Sequence, residues 1–447
     1  MKFDYHEMVV EPTQRAVAWK YELLPDVLAE GAHSSVWLAR DKAGKVVVIK
    51  RLPTHMVDEV SILRQLDHPN ICRLIEDFPP SNDDPHHICI AIEYCAGGEL
   101  FDRIAASASL DDAQCRRILR QLASALNYCH SKGVVHGDVK PENVMCMDFQ
   151  DYADTVKLID FGLARRRGDG LKRFFTTEAY AAPEVLSGEA AVGELPASDM
   201  WSLGVVLYVM LFGRLPTTSH TGELKIPREL PTRLEDILTG LLTVELKSRL
   251  TACNLLAHPW MQESTTFQSM RVSNNEVASL QRFATHSALH RAIAAVSAKK
   301  LGFAELNRLH DLFVKLDADK DGCLSIEEFA NAFLDTGICK SEVDLLFHSA
   351  DLDGSGRVEY SEFIAATFGH RRADQERLIK ASFDFIDKEG SGLISLNDLD
   401  NFIESFDLDF DNLQMTELKE KSKSWESEKI NFDTFANWII RRNSGIM

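Results

Sequence analysis

The sequence lacks the features of a secreted or membrane-anchored chain. Its nine cysteines are scattered singly with no Cys-x-x-Cys pair, as in reduced intracellular proteins. The opening MKFDYHEMVV has no basic-then-apolar signal sequence, and Lys2 occupies the position where N-myristoylation needs glycine. The longest apolar run, 203–213, is too short to span a bilayer and is typical of a buried core helix. We therefore expect a cytoplasmic protein with no membrane anchor.

Positive charge is also scarce, and the deficit is concentrated in one part of the chain. The 447 residues carry a formal net charge of −19, and residues 301–447 contain 30 acidic against 16 basic side chains. This length predicts two or three domains, and the 45% hydrophobic share is ordinary for a globular protein. The acidic C-terminal third argues against nucleic acid as a partner and favours cations or basic targets.

Hydrophobic periodicity divides the chain into four segments. Residues 1–20 have weak periodicity and are expected to form a loose N-terminal arm. Residues 21–261 favour strands up to about position 100 and then helices with apolar residues three and four apart. A junction, 262–305, leads to a repeated helix–loop–helix region, 306–447.

One ordered set of polar residues meets the needs of phosphoryl transfer, which depends on positioning and charge neutralisation. Lys50 ends the strand-like run VVIK, and Glu59 lies nine residues later, where a helix can pair the two side chains. In VVHGDVKPENVM, Asp138 can accept the proton of a substrate hydroxyl and Lys140 can stabilise the phosphoryl group. Two further residues can hold Mg²⁺, namely Asn143 and Asp160 of the DFG motif.

In this order and context, the motifs of residues 21–261 resemble a protein kinase domain of the calcium/calmodulin-regulated group. IEYCAGGELFDRI resembles that group's hinge, and AYAAPE and DMWSLGVVLY resemble its later motifs. The resemblance implies a bilobal α+β fold, with Glu99 meeting the ribose or, like Glu142, a basic substrate residue. It implies structural roles for Asp199 and for an Arg249–Glu184 pair. The implied ATP contacts are Leu28, Gly31, Val36, Lys50, Glu93, Cys95 and Glu99, with Ile92 as gatekeeper.

Three departures from the family bear on activity. The span from Lys50 to Glu59 is shorter than in the family, so the helix that carries Glu59 is expected to be truncated at its start. Of the three glycines in the phosphate-covering loop only Gly31 remains, and Ala29 and Ser34 replace the others. Because alanine and serine are small, we expect weakened rather than abolished ATP binding. Gly137 stands where the family has an arginine that pairs with a phosphorylated activation loop, so phosphorylation there is not expected to be the switch. A calcium-sensing pseudokinase scaffold is the alternative, but the intact catalytic set favours an active enzyme.

Three segments at spacings of 34 and 36 residues match a calcium loop, which needs oxygen ligands at positions 1, 3, 5, 7, 9 and 12 and glycine at position 6. The loops 317–328 and 351–362 satisfy this pattern. Their candidate ligands are Asp317, Asp319, Asp321, the Cys323 carbonyl, Ser325 and Glu328 in the first loop, and Asp351, Asp353, Ser355, the Arg357 carbonyl, Glu359 and Glu362 in the second.

The third loop, 387–398, is a weaker match. Glu389 replaces the shorter aspartate at position 3, and Asp398 replaces the bidentate glutamate at position 12. It is expected to bind Ca²⁺ weakly or to accept Mg²⁺. A fourth unit, 423–434, has unsuitable ligand positions and is expected to serve only as a structural partner of the third. The third loop's candidate ligands are Asp387, Glu389, Ser391, the Leu393 carbonyl, Ser395 and Asp398.

Residues 277–304 have no acidic side chain. The segment is either an ordinary linking helix or a basic amphipathic helix of the kind that calmodulin-like modules bind. Its basic residues are Arg282, Arg291, Lys299 and Lys300. Its predicted apolar face is Leu280, Phe283, Leu289, Ile293 and Val296.

Kinase, junction and four EF-hand units in one chain resemble the calcium-dependent protein kinases of plants and protists, although Ala288 stands where many members carry lysine. The resemblance implies a serine/threonine kinase that uses ATP, Mg²⁺ and Ca²⁺ to phosphorylate protein substrates. At rest the helix 277–300 is expected to lie near Glu99 and Glu142 and to inhibit the enzyme. Calcium then either releases this inhibition or supports the active shape of the kinase domain, and the sequence leaves both explanations open.

Overall fold

The structure, a computed structural model, describes residues 15–368 with several gaps, together with parts of 379–398 and 429–441. The larger gaps within the first range are 149–154, 167–176, 189–194, 218–224 and 263–271.

A five-stranded antiparallel sheet in the order β1-β2-β3-β5-β4 forms the N-terminal lobe. The turn between β2 and β3 is fixed by the Asp41 carboxylate, which accepts from the backbone N–H groups of Ala43 and Lys45 at 2.9 and 2.8 Å. Gly44 completes this turn at φ 86°, a left-handed conformation that favours glycine. The strands are β1 (Tyr21–Glu30), β2 (Ser35–Asp41), β3 (Val46–Pro53), β4 (Leu74–Phe78) and β5 (His87–Glu93).

The expected loose arm is in part a helix, so that prediction is wrong for its last six residues. Helix α1 (Arg15–Lys20) packs on the sheet through Val17, which is fully buried beside Trp37. The Lys20 ammonium pairs with the Glu76 carboxylate at 2.6 Å. Six residues are too few to show helical periodicity in a sequence, which is why packing rather than pattern reveals this helix.

The helix that carries Glu59 starts late, as predicted. A single 3-10 turn, Thr54–Met56, precedes α2 (Val57–Gln65), and Glu59 is only the third residue of that helix. No side chain caps the start of α2.

The C-terminal lobe of the kinase domain is helical, with short strand pairs β6–β9 and β7–β8. Its helices are α3 (Leu100–Ser107), α4 (Asp112–Ser131), α5 (Pro183–Ser187), α6 (Leu195–Phe212), α7 (Thr232–Leu241), α8 (Ala252–Leu256) and α9 (Pro259–Gln262). Its strands are β6 (Val134–Val135), β7 (Val144–Cys146), β8 (Val156–Leu158) and β9 (Arg165–Arg166).

Helix α6 contains the longest apolar run of the sequence. Its length and composition alone are sufficient to cross a membrane, but 78% of its apolar window is buried inside the fold. It packs against α4 and α7 in the main hydrophobic core. The interpretation of 203–213 as part of a buried core helix is therefore confirmed.

The remaining elements are the junction helices and the EF-hand region. Apolar residues of the junction and of the first two hands share one hydrophobic core, which contains Leu280, Phe313 and Phe363. The elements are α10 (Asn274–Thr285), α11 (Ala288–Ala298), α12 (Phe303–Leu316), α13 (Ile326–Asn331), α14 (Lys340–Ala350), α15 (Tyr360–Thr367), β10 (Leu393–Ser395), β11 (Lys429–Asn431) and α16 (Phe432–Arg441).

The junction is two helices rather than the single helix predicted over 277–300. Helix α10 begins at a capping box formed by Ser273 and Glu276 and ends before His286, whose backbone is extended. The Thr285 hydroxyl donates to the Arg282 carbonyl at 2.7 Å. Side chains that bond the neighbouring backbone compete with helix continuation, and Thr285 makes such a bond next to the extended His286.

Candidate active site and calcium sites

Lys50 connects three elements of the catalytic centre. Strand β3 holds its side chain so that the ammonium lies 2.7 Å from the Glu59 carboxylate of α2 and 2.9 Å from Asp160. Burial acts to lower the pKa of Lys50, but Glu59 and Asp160 outweigh it and raise the pKa, so the ammonium stays charged. Burial alone would raise the pKa of Asp160, yet the nearby Lys50 lowers it. This charged arrangement suits contact with nucleotide phosphates and a divalent cation.

Asp138 lies at the centre of a hydrogen-bonded network. Its carboxylate is 2.7 Å from the Lys140 ammonium and accepts from the Asn143 amide at 3.0 Å. The Thr177 hydroxyl donates to Asp138 at 3.0 Å and accepts from Lys140 at 2.8 Å. Burial acts to raise the pKa of Asp138, but Lys140 and Thr177 outweigh it, so the pKa is lowered and the group is an anionic proton acceptor.

Thr177 is a functional residue that the sequence reasoning missed. It bridges the two groups expected to act on the substrate hydroxyl and the phosphoryl group, although it follows Asp138 by 39 positions. Its position just before the AYAAPE segment was the available signal.

The backbone of the catalytic loop is anchored by Asp199 of α6. The N–H groups of His136 and Gly137 donate to the two Asp199 carboxylate oxygens at 2.9 and 2.8 Å. Gly137 has φ 79°, a conformation that glycine adopts without strain. The buried Arg249 forms a fork with Glu184 at 2.6 and 3.0 Å, so the structural roles implied for these residues fit the geometry.

Of the hinge residues implied to contact adenine, Glu93 ends β5 and Cys95 follows it. Glu93 and Cys95 are buried, whereas Leu28 of β1 is exposed and Val36 of β2 is partly exposed. Ile92 lies opposite Val48 and Leu74 in the sheet. Gly31, the one remaining glycine of the phosphate-covering loop, lies outside the described residues.

Acidic side chains gather beside the catalytic loop. Burial raises the pKa of Glu99, and Asp102 and Glu142 raise it further, which means that these carboxylates repel one another. Such a cluster attracts a cation, and a basic substrate side chain is one.

The first calcium loop brings its aspartates together. One carboxylate oxygen from each of Asp317, Asp319 and Asp321 lies within 4.8 Å of the others. The Glu328 carboxylate closes the loop by accepting from the backbone N–H groups of Ala318 at 2.7 Å and Ser325 at 2.9 Å. Burial, with smaller contributions from Glu328 and Asp319, raises the pKa of Asp317 to about 7, and a bound cation would stabilise its charged form. The chemistry and spacing of these donors therefore fit Ca²⁺.

The second loop has the same design. Carboxylate oxygens of Asp351, Asp353 and Glu362 lie within 4.8 Å of one another. Glu362 accepts from the backbone N–H of Leu352 at 2.8 Å, and burial raises its pKa to about 9. The two loops are joined by paired backbone hydrogen bonds of 2.9 Å between Leu324 and Val358. Each of these residues directly follows a predicted carbonyl ligand, Cys323 or Arg357.

Several other candidate ligands take part in contacts of their own. The Ser325 hydroxyl donates to Glu328, and the Ser355 hydroxyl donates to the Arg357 carbonyl at 3.1 Å. The Glu359 carboxylate meets Lys132 of the kinase domain at 2.5 Å. Glu359, at position 9 of the second loop, is therefore both a candidate calcium ligand and a member of an ion pair between the two domains. The sequence pattern did not predict this ion pair.

The third loop is only partly within the described residues, and Glu389 lies outside them. Asp387 accepts from the backbone N–H groups of Ser391 at 2.8 Å and Gly392 at 2.7 Å, as a position-1 ligand does in the first two loops. Asp398 accepts from Ser395 at 2.8 Å. The Leu393 carbonyl accepts from the Ser391 hydroxyl at 2.9 Å.

The fourth unit pairs with the third, which confirms its predicted structural role. Strands β10 and β11 are antiparallel, and Ile394 and Ile430 face each other and are both buried. Phe383 packs against Phe432 and Phe435. Of the unsuitable ligand positions of the fourth unit, Lys423 and Trp425 lie outside the described residues, whereas the Thr434 N–H donates to the Asn431 side-chain oxygen at 3.0 Å.

Comparison with known proteins agrees with this geometry. The protein kinase domain family matches residues 24–261, and an EF-hand domain pair matches residues 306–368. Calcium-dependent protein kinase 17 of Arabidopsis thaliana is 30% identical over 404 residues, which cover 86% of this chain and 75% of the relative. Calcium-dependent protein kinase 9 of Oryza sativa subsp. japonica is 31% identical over 411 residues, which cover 85% and 70%. The chain belongs to the calcium-dependent protein kinases.

In this calcium-dependent protein kinase the first calcium loop lies directly on the kinase domain. A β-carbon on Gly322 would be only 2.2 Å from the His68 ring, so the loop's turn glycine also permits close docking. The Lys320 carbonyl accepts from the Ser124 hydroxyl of α4 at 2.9 Å. In the second hand, the Ser361 N–H donates to the Asp67 carboxylate at 2.8 Å. The sequence pattern identified Gly322 as a turn residue but gave no signal of this contact.

The junction occupies the first EF-hand pair, as the amphipathic reading predicted. Leu280 and Phe283 are buried in the core that the junction shares with the first two hands, and the Arg291 guanidinium donates to the Ser349 carbonyl at 2.7 Å. Ile293 is also buried, but it is not part of that core. The side chain of Leu289 lies outside the described part. The structure therefore presents the arrangement in which the hands hold the junction, and the resting position near Glu99 and Glu142 stays a prediction.

We expect Asp138→Asn to lower kcat about 100-fold or more, because the variant loses the anionic proton acceptor. Calcium binding should be unchanged, since Asp138 has no contact with the calcium loops among the residues that the structure describes. Steady-state kinetics and calorimetry measure the two effects. Asp236→Asn, an exposed change on α7, is the matched control. Near wild-type turnover in Asp138→Asn would show that Asp138 is not the base.

Calorimetry should find two tight calcium sites, at most one weaker third site and no fourth. Glu328→Gln and Glu362→Gln should each remove one tight site, because each carboxylate closes its own loop. Glu327→Gln changes the exposed neighbour of Glu328 and should leave both sites intact. Four sites of comparable affinity would contradict the interpretation of 423–434.

Proposed function

We propose that the chain is a calcium-activated serine/threonine protein kinase that transfers the γ-phosphoryl group of ATP to protein hydroxyls. One observation supports this most strongly: the Lys50–Glu59–Asp160 contacts and the Asp138 network are both assembled while the junction lies in the EF-hand pair. A pseudokinase would not need these contacts together. The nine free cysteines support a reducing, cytoplasmic location.

The catalytic residues divide the work of transfer. Asp138 orients the substrate hydroxyl and accepts its proton, while Lys140 neutralises charge on the moving phosphoryl group. Thr177 fixes both side chains relative to each other. Asn143 and Asp160 would hold Mg²⁺, and the Asn143 side-chain oxygen would be its donor because the amide nitrogen bonds Asp138. Bound Mg²⁺ supplies neutralisation of the phosphate charge.

Substrate choice follows from the acidic cluster. We infer that Glu99 and Glu142 bind a basic residue near the phosphoacceptor, because burial and then the neighbouring carboxylates raise the pKa of Glu99, and a cation would relieve the repulsion between these carboxylates. The basic junction carries side chains of the same kind. It can therefore occupy this surface at rest and inhibit the enzyme.

Calcium then has two effects in this proposal. Occupied hands bind the apolar face of the junction and withdraw it from the acidic cluster. The same hands contact Asp67 and His68, which lie in the segment that follows α2. Since α2 has a short, uncapped start, these contacts favour a supporting role as well as release of inhibition.

We expect the full chain to transfer radiolabelled phosphate to a basic peptide in calcium and not in a calcium chelator. Glu328→Gln together with Glu362→Gln should remove the stimulation, and Glu327→Gln should keep it. Transfer that is absent in both conditions would favour the pseudokinase scaffold. Transfer that is equal in both would exclude calcium as the switch.

A truncated chain ending at Gln268 separates release from support. It should be active without calcium but slower than the calcium-loaded full chain, by about 5- to 150-fold if the hands contribute coupling of the usual size. A peptide of residues 277–300 should inhibit it. If the truncated chain were as active as the calcium-loaded full chain, release of inhibition would be the whole mechanism. If it were folded but inactive, support of the kinase domain by the hands would be the whole mechanism. Circular dichroism checks that the truncation is folded.

Phosphatase treatment should leave calcium-stimulated activity within about twofold of the untreated enzyme. The reason is that Gly137 has no side chain to bind a phosphorylated activation loop. Gly137→Arg restores the family's residue and is the comparison variant. If dephosphorylated wild-type enzyme were inactive until rephosphorylated within 161–181, this view of the switch would be wrong.

A further inference from the structure

Arg73 lies where the junction ends against the kinase domain. Its guanidinium donates to the Leu301 carbonyl at 2.7 Å and to the Ala298 carbonyl at 3.3 Å. Helix α11 ends at Ala298, and the last carbonyls of a helix lack intrahelical partners and carry partial negative charge. Arg73 is only 9% exposed, so it caps the end of the junction helix in a site largely shielded from water.

The same arginine is bonded to the nucleotide-binding hinge. Its backbone N–H donates to the Glu93 carboxylate at 2.7 Å, and its carbonyl accepts from the Glu93 N–H at 3.1 Å. The guanidinium is 3.9 Å from the other Glu93 oxygen. Arg73 therefore contacts the hinge through its backbone and the junction through its side chain.

The charge balance of this cluster depends on the junction. Glu93 also pairs with the buried Lys157 at 2.7 Å, so one carboxylate faces two cations. Burial acts to raise the pKa of Glu93, but Lys157 and Arg73 outweigh it and lower the pKa. A buried cation is costly unless it is paired and hydrogen-bonded. The carbonyls of Ala298 and Leu301 supply the second negative partner that Arg73 needs.

We propose that Arg73 is a positioning residue through which the docked junction strengthens nucleotide binding at the hinge. When the junction is elsewhere, the guanidinium loses its two carbonyl partners, so the docked junction no longer holds the hinge segment in place beside adenine. This inference rests on the proposed calcium-activated kinase function. Coupling between binding sites is reciprocal, so ADP must also tighten calcium binding by the same factor.

The test measures ADP affinity of the full chain by calorimetry, in saturating calcium and in a chelator. In wild type, calcium should tighten ADP binding by about 5- to 150-fold. Arg73→Met should lose most of this factor while ADP affinity in the chelator changes by less than about twofold. Arg73→Lys keeps the positive charge but lacks the planar pair of guanidinium donors, so it should retain part of the calcium-dependent increase in ADP affinity. Arg64→Met, which removes an exposed ion pair with Asp77 in the same lobe, should behave as wild type.

Equal weakening of ADP binding by Arg73→Met in both conditions would overturn the proposal, because Arg73 would then only support the hinge. The proposal would also be overturned if the ADP affinity of the wild-type chain did not depend on calcium. Calcium-stimulated phosphoryl transfer would in that case still support the proposed function. Hydrogen exchange on the wild-type chain gives an independent measurement if Arg73→Met fails to fold. With calcium present, ADP should slow exchange of the backbone amides of 288–301, and no change there would contradict the coupling.

Discussion

The ammonium of Lys50 joins three separately placed parts of the catalytic centre. Its partners come from α2 and from the DFG segment, and its own backbone belongs to the central strand of the sheet. Glu59 is 2% exposed at its side chain, and breaking a buried ion pair by removing one partner costs about 3–5 kcal/mol. The placement of α2 therefore decides whether Lys50 is held where phosphates bind.

Helix α2 begins two residues before Glu59 without a side-chain cap, and its buried Val60, Ile62 and Leu63 join the main hydrophobic core. A segment that contacts the calcium module follows it. That following segment contains Asp67, His68 and Arg73, which contact the second hand, the first calcium loop and the end of the junction. The calcium module and the catalytic ion pair are thus connected through one short stretch of the N-terminal lobe.

Much of the site could be predicted because its residues occur in short, ordered motifs. The catalytic set, the twelve-residue loops and the structural pairing of the third and fourth units each depend on local spacing. The structural features that the sequence did not predict do not depend on such motifs. The helix at 15–20 is too short for a periodic signal, and the break at His286 depends on polar side chains that compete for backbone hydrogen bonds.

The sequence by itself determined which chemistry is present, since carboxylates at fixed loop positions and an ordered lysine, glutamate and aspartate set define calcium binding and phosphoryl transfer. Only the tertiary structure decided how these modules meet. Arg73 and Leu301 are 228 residues apart, and Lys132 and Glu359 are 227 apart. Such contacts depend on the packing of whole surfaces, and no local pattern of residues encodes which buried cation will find which distant carbonyl or carboxylate.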